Sequence, residues 1–151
     1  MMIGRILVPV DFWTSSAQVL GVGLDLATVF DAELTILHVW DFPARAYPGM
    51  ALSEVDHVLA PVRAAAQAEL DRLLAEARRR RPCVHGVLRC GPTESQILAE
   101  ITETAPDLVV AGSHGRTGLA RALLGSIAEY LVRFSPAPVL LVPVRADDTP
   151  L

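Results

Sequence analysis

Residues 112–126 read GSHGRTGLARALLGS. Two residues separate Gly112 from Gly115, and nine separate Gly115 from Gly125, which Ser126 follows at once. The apolar run Leu108 to Ala111 before the stretch reads as a buried strand, and Ile127 to Phe134 after it has the amphipathic spacing of a helix. Glycine has no Cβ, so the backbone can turn through positive φ and an anion can come close to main-chain N–H groups. The first N–H groups of a helix lack internal partners and carry the positive end of its macrodipole. A strand, a glycine loop and a helix start together read as a cradle for the phosphates of a nucleotide.

Composition tests that reading. A chain of 151 residues fits one domain, with residues 1–145 as that domain and 146–151 as a flexible tail. Hydrophobic residues make up 52% and charged residues 20%, enough to bury a core of packed strands and helices. A net charge of -4 gives no electrostatic reason to expect nucleic acid or an anionic membrane, so a bound anion needs local backbone donors. The opening MMIGRILVPVDF carries no signal-peptide pattern, and no apolar run approaches the ~20 residues of a membrane helix. A cytoplasmic protein is expected. Cys83 and Cys90 read as two buried free thiols of one strand, roughly 23 Å apart at ~3.3 Å per residue and unable to bridge. Neither belongs to a metal-ligand pattern.

Strand and helix signals alternate along the chain. Ile3 to Val10 reads as a strand covered on both faces, with Asp11 at its carboxyl end. Thr14, Ser15 and Ser16 offer caps for a helix facing the core through Ala17, Leu20, Leu24 and Ala27, in which Gly21 and Gly23 suggest close packing on the sheet. Glu33 to Trp40 is a second buried strand, followed by a loop containing Pro43 and Pro48. Val55, Leu59, Val62, Ala66, Leu70, Leu73 and Ala77 stripe a long helix that Pro61 kinks or starts, and Arg78 to Arg81 read as its solvated end. Val84 to Cys90 is a third strand, and Thr93 with Gln96 has capping-box spacing for the next helix. Asp107 to Ala111, then Pro138 to Val144, complete five strands around a helix lined by Ile127, Tyr130, Leu131 and Phe134. The fold class is α/β, an open five-stranded parallel sheet with helices on both faces. Ligands of such sheets bind beyond the carboxyl ends of the strands where strand order reverses, and Asp11, Val39 and Gly112 all stand at such ends.

With these residues in place the chain resembles a universal stress protein of the ATP-binding type. The likeness spans nearly the whole length, from ILVPVDF (6–12) to PAPVLLVPV (136–144), and the glycine pattern is matched in full by Gly112, Gly115, Gly125 and Ser126. In that family the pattern accompanies ATP binding. The resemblance implies strand order 3-2-1-4-5, an adenine nucleotide alpha hydrolase-like fold, and a homodimer formed through the last strand. It also implies roles by position. Pro9 and Val10 would wall the base, Asp11 would accept hydrogen bonds from the ribose hydroxyls or the adenine side, and the main chain at Val39 would meet the adenine edge near Ala111. Gly112, Ser113, His114 and Gly115 would wrap the phosphates, and Gly125, Ser126 and Ile127 would close on them. Val10 stands where the family usually has Ser or Thr, and Phe12 where a small residue often follows the acid.

Each residue also has a plainer reading. Ser126 and Glu129 have capping-box spacing, Asp11 suits a helix entry, His114 is either a base or a neighbour of phosphate, and Arg116 and Arg121 either neutralise phosphate or face water. The chain has no lysine, so the loop lacks the Gly-Lys-Ser/Thr clamp of a P-loop, and any magnesium would be held chiefly by the phosphates and water. The leading function is therefore an ATP-binding stress-response or signalling module with an unidentified regulatory protein partner. A slow ATP hydrolase or phosphotransferase using His114 or Asp11 is one alternative, and a nucleotide-free dimeric scaffold is the other.

Overall fold

Alternation within the first apolar run decides how the layers assemble. Arg5–Val10 is strand β1 of the computed structural model, which describes residues 2–41, 52–113 and 124–144. Successive strand side chains point to opposite faces, so Ile6, Val8 and Val10 enter one apolar layer and Leu7 the other. After β1 come α1 (Thr14–Phe30), β2 (Glu33–Trp40), α2 (Leu52–Arg80), β3 (Val84–Cys90), α3 (Thr93–Thr104), β4 (Leu108–Gly112), α4 (Ser126–Phe134) and β5 (Val139–Val142). The sheet runs β3-β2-β1-β4-β5 with every pair parallel, the expected order. Val19, Leu20 and Leu24 of α1 and Leu70, Leu73 and Leu74 of α2 fill the first layer. Ile97 and Ile101 of α3 and Leu131 of α4 fill the second.

Helix α1 turns a slightly different face inward than its spacing predicts. Ala17 is exposed, while Ser16, Val19 and Gly23 are buried with Leu20, Leu24 and Ala27. A Cβ on Gly23 would stand 2.7 Å from Val8 Cγ2, so this glycine is what lets the helix lie against the sheet, whereas a Cβ on Gly21 would meet nothing within 4 Å. Helix α2 continues through Pro61 rather than starting there. From Leu59 on, its stripe is buried only at Leu70 and beyond, and Val58 and Val62 lie exposed; the side chain of Val55 lies outside the described residues. The end of α2 is not merely solvated. Arg78 Nε donates to the Val84 carbonyl, Arg80 pairs with Asp25, and Arg81 reaches both the Ala32 carbonyl and Asp31. These bonds tie α2 to its neighbours on either side.

Other local expectations change for equally specific reasons. Asp107 precedes β4 instead of opening it, because its carboxylate accepts the N–H groups of Gly4 and Arg5. Those two donors hold its carboxyl below the ordinary carboxylate range. The Thr93 capping box does not form: Pro92 occupies the cap position, and Ser95 Oγ donates to the Pro92 carbonyl. Cys83 and Cys90 are free but exposed, with Cys83 one residue short of β3. In α4 the buried residues are Ala128 and Leu131, and Phe134 is exposed beside Tyr130, their rings 4.8 Å apart.

Candidate functional site

Strand pairing opens a crevice where the sequence places one. β1 and β4 are in register only at Ile6↔Leu108 and Leu7↔Val109, and beyond that pair the two strands share no partners. The gap widens into a crevice of ≈ 620 Å³ at their carboxyl ends, a size that fits a small-molecule site. β1 contributes Pro9, Val10 and Asp11 to its walls, β2 contributes Val39, and β4 contributes Ala111 and Gly112. Gly125, Ser126 and Ile127 line it from the start of α4. Ser113 is buried just past β4 and is not part of the lining. His114, Gly115, Arg116, Arg121, the loop at Pro43 and Pro48, and the tail lie outside the described residues.

The phosphate side depends on which amides are still available. Gly125 is the cap residue of α4 and has an extended conformation, φ −63 and ψ 155, so it makes no use of positive φ. Its N–H donates to the Ser113 carbonyl, and the Ser113 N–H donates to the Val142 carbonyl. These two amides, of which Ser113's was expected to face phosphate, are hydrogen-bonded at the two ends of the loop. The first intrahelical bond of α4 runs from Glu129 N–H to the Gly125 carbonyl. The amides of Ser126, Ile127 and Ala128 consequently have no partner within the helix, and all three residues line the crevice. Ser126 is the first helical residue rather than the cap, so the capping-box reading of Ser126 with Glu129 does not hold.

On the opposite wall Asp11 is held by its own chain. Asp11 Oδ1 accepts the Ser16 hydroxyl at 2.6 Å and the Trp13 N–H at 3.2 Å. Ser16 therefore serves Asp11 instead of capping α1, whose cap position is Trp13. Between Asp11 and Trp13 the backbone of Phe12 has φ 64, a left-handed conformation that small residues adopt most easily. Its ring stacks on His38 at a centroid distance of 3.8 Å.

Val39 stands where β2 outruns β1. The β1–β2 register ends at Val10↔His38, so Val39 is paired with Arg89 on the β3 side and has no strand residue beside it on the β1 side. Several wall residues escaped the sequence reading. His38 had no recognisable constellation, yet it lines the crevice and its Nδ1 lies 2.9 Å from the Val10 carbonyl. Asp41 and Thr93 obey the carboxyl-end rule that found Asp11, since they follow β2 and β3, and applying it to every strand would have named them. Trp40, the last residue of β2, obeys the same rule, Ser16 reads only as a cap, and Ile97 carries no sequence signal that sets it apart from core residues.

The profile of the universal stress protein family matches residues 2–143. The chain belongs to the universal stress protein family. It is 29% identical over 139 residues to the universal stress protein MJ0531 of Methanocaldococcus jannaschii, covering 91% of this chain and 81% of that protein. The solved universal stress protein UspA from Lactobacillus plantarum superposes with a TM-score of 0.80 at 25% identity, over 94% of this chain and 99% of that one. A universal stress protein family protein from Arabidopsis thaliana, solved with AMP bound, shares the fold with a TM-score of 0.68 at 16% identity, over 95% and 94% of the two chains.

In this universal stress protein two chemically different walls face each other across the crevice. One wall presents helix amides that favour an anion, and the other presents a carboxylate that only accepts. Among the described residues no group of three or more His, Cys, Asp and Glu could hold a metal ion, and no helix is long and apolar enough to cross a membrane. Beside the rim, burial pushes the Cys90 thiol above its ordinary range and the charge of Asp41 adds to the effect. Further out, the Arg89 guanidinium is held charged by Glu103, with the buried Glu100 as its second partner.

Proposed function

We propose that the crevice binds an adenine nucleotide, that ATP is the ligand, and that the protein is a stress-response module whose nucleotide state alters its shape or its regulatory protein partner. The observation that carries this reading is that the α4 amides of Ser126, Ile127 and Ala128, which have no partner within the helix, face the Asp11 carboxylate across one crevice. An anionic tail suits the first wall and a donor-bearing sugar or base suits the second. In this arrangement Pro9, Val10 and Ala111 flank the base and the Val39 main chain meets its edge. Gly112, with His114 and Gly115 of the loop, encloses the phosphates. The AMP held by the Arabidopsis relative supports adenine as the base.

Any magnesium accompanying ATP would be held chiefly by the nucleotide's phosphates and water, where it would offset their charge. A loop with no lysine is suited to holding the nucleotide rather than transferring its phosphate. The strand β5 lies at the sheet edge with Leu140 exposed, which favours a homodimer through that strand, in a cytoplasmic setting. Isothermal titration of ATP into protein stripped of endogenous nucleotide tests the binding claim. Saturable heat that Gly125→Val abolishes is the expected result, and the absence of heat from the unaltered protein contradicts it. Light scattering at micromolar concentration tests the dimer, which a monomer mass would contradict.

A further inference from the structure

The hydroxyl of Ser16 is used entirely on one residue. It donates to Asp11 Oδ1 at 2.6 Å and accepts the Asp11 backbone N–H at 3.0 Å, closing a ring between the end of β1 and the first turn of α1. The Trp13 N–H adds a second donor to the same carboxylate oxygen, while Asp11 Oδ2 accepts no hydrogen bond from the described residues. A carboxylate is planar, so fixing Oδ1 from two directions also fixes where Oδ2 points. Ser16 is buried and Asp11 half-buried, and both line the crevice. A serine in the first turn would ordinarily bond the backbone of its own helix, and here the cap position of α1 is Trp13, with no side-chain cap.

We propose that Ser16 is a positioning residue that aims Asp11 Oδ2 at a hydroxyl of the ligand's ribose and thereby sets a preference for ribonucleotides over deoxyribonucleotides. The proposal rests on the nucleotide reading of the crevice given above. An ionised carboxylate can only accept, and the sugar hydroxyls are the donors that distinguish a ribonucleotide from its deoxy analogues. A site built to hydrogen-bond a ligand hydroxyl rejects the analogue lacking it far more strongly than an apolar pocket does. The acceptor must be held in place for that rejection to operate, and the ring with Ser16 supplies the hold.

The test compares ATP, 2′-deoxy-ATP and 3′-deoxy-ATP by titration calorimetry on the full chain stripped of nucleotide. The unaltered protein is expected to bind ATP about ten-fold more tightly than at least one deoxy analogue. Ser16→Ala is expected to bring the three affinities within about two-fold by weakening ATP alone, and Ser16→Thr, which keeps the hydroxyl, to retain the preference. In an Asp11→Asn background the Ser16→Ala change is expected to have no further effect on the preference, since the two residues act as a unit. Equal weakening of all three ligands by Ser16→Ala assigns Ser16 a merely structural role and overturns the proposal. Equal affinities in the unaltered protein overturn it while leaving nucleotide binding intact, and no binding of ATP overturns both readings. Should Ser16→Ala fail to fold by circular dichroism, Asp11→Ala decides, because it removes the acceptor altogether and a preference that survives it contradicts the proposal.

Discussion

His38 Nδ1 lies 2.9 Å from the carbonyl oxygen of Val10, bridging the ends of β2 and β1 where both residues line the crevice. A carbonyl only accepts, so Nδ1 carries the proton of this bond. The Phe12 ring, on a backbone with φ 64, stacks on the imidazole. His38→Ala removes both contacts at once and leaves the Val10 carbonyl without this donor. A loss of about 2–3 kcal/mol in urea unfolding is expected.

Gly21 and Gly23 make a matched pair in the same helix. A methyl at 23 runs into Val8 Cγ2, which is itself fully buried, whereas a methyl at 21 enters open space. Gly23→Ala should destabilise by about 1–2 kcal/mol through overpacking. Gly21→Ala should stabilise by about 0.5–1 kcal/mol through helix propensity. Thermal melts of the two variants check the opposite signs.

The strands and the residues at their carboxyl ends were legible because buried parallel strands write themselves as continuous apolar runs, as ELTILHVW does for β2, whereas their order in the sheet came only with the family resemblance. The glycine motif led to the start of α4, and the carboxyl-end rule led to Asp11. Hydrogen bonds between residues distant in sequence or without a motif were not legible. Ser16 reads as a cap and serves Asp11, Asp107 reads as strand and holds Gly4 and Arg5, and Arg81 reads as solvated and holds Ala32. Cys83 and Cys90 read as buried because thiols usually are, yet β3 is an edge strand and both residues, one just before it and one at its end, are exposed.

Asp107 gives the fold an acid-side pH dependence. Its folded carboxyl lies below the ordinary range because the Gly4 and Arg5 N–H groups bind the ionised form. A depressed folded value contributes stability above the unfolded value of about 4, and that contribution is lost as pH falls through the folded value. Asp107→Asn should therefore flatten the fall in stability on acidification below about pH 4, as measured by urea unfolding at successive pH values. An unchanged slope would place the dependence on other groups.

Cys90 is exposed but reluctant to ionise, burial of its sulfur being the larger cause and the Asp41 carboxylate the smaller. Alkylation by iodoacetamide should show a pH midpoint for Cys90 above the ordinary thiol value of about 8.5. Asp41→Asn should lower that midpoint by only part of the difference, since burial remains. Peptide mass spectrometry resolves Cys90 from Cys83.

The central claim is that a nucleotide sits between the start of α4 and the end of β1. Titrating ATP into nitrogen-15-labelled, nucleotide-free protein and following backbone amide shifts tests it most directly. The account predicts saturable shifts concentrated at Ser126, Ile127 and Ala128, with further shifts at Asp11 and Val39 on the facing wall. Shifts confined to residues away from the crevice, or no shifts at millimolar ATP, would contradict it.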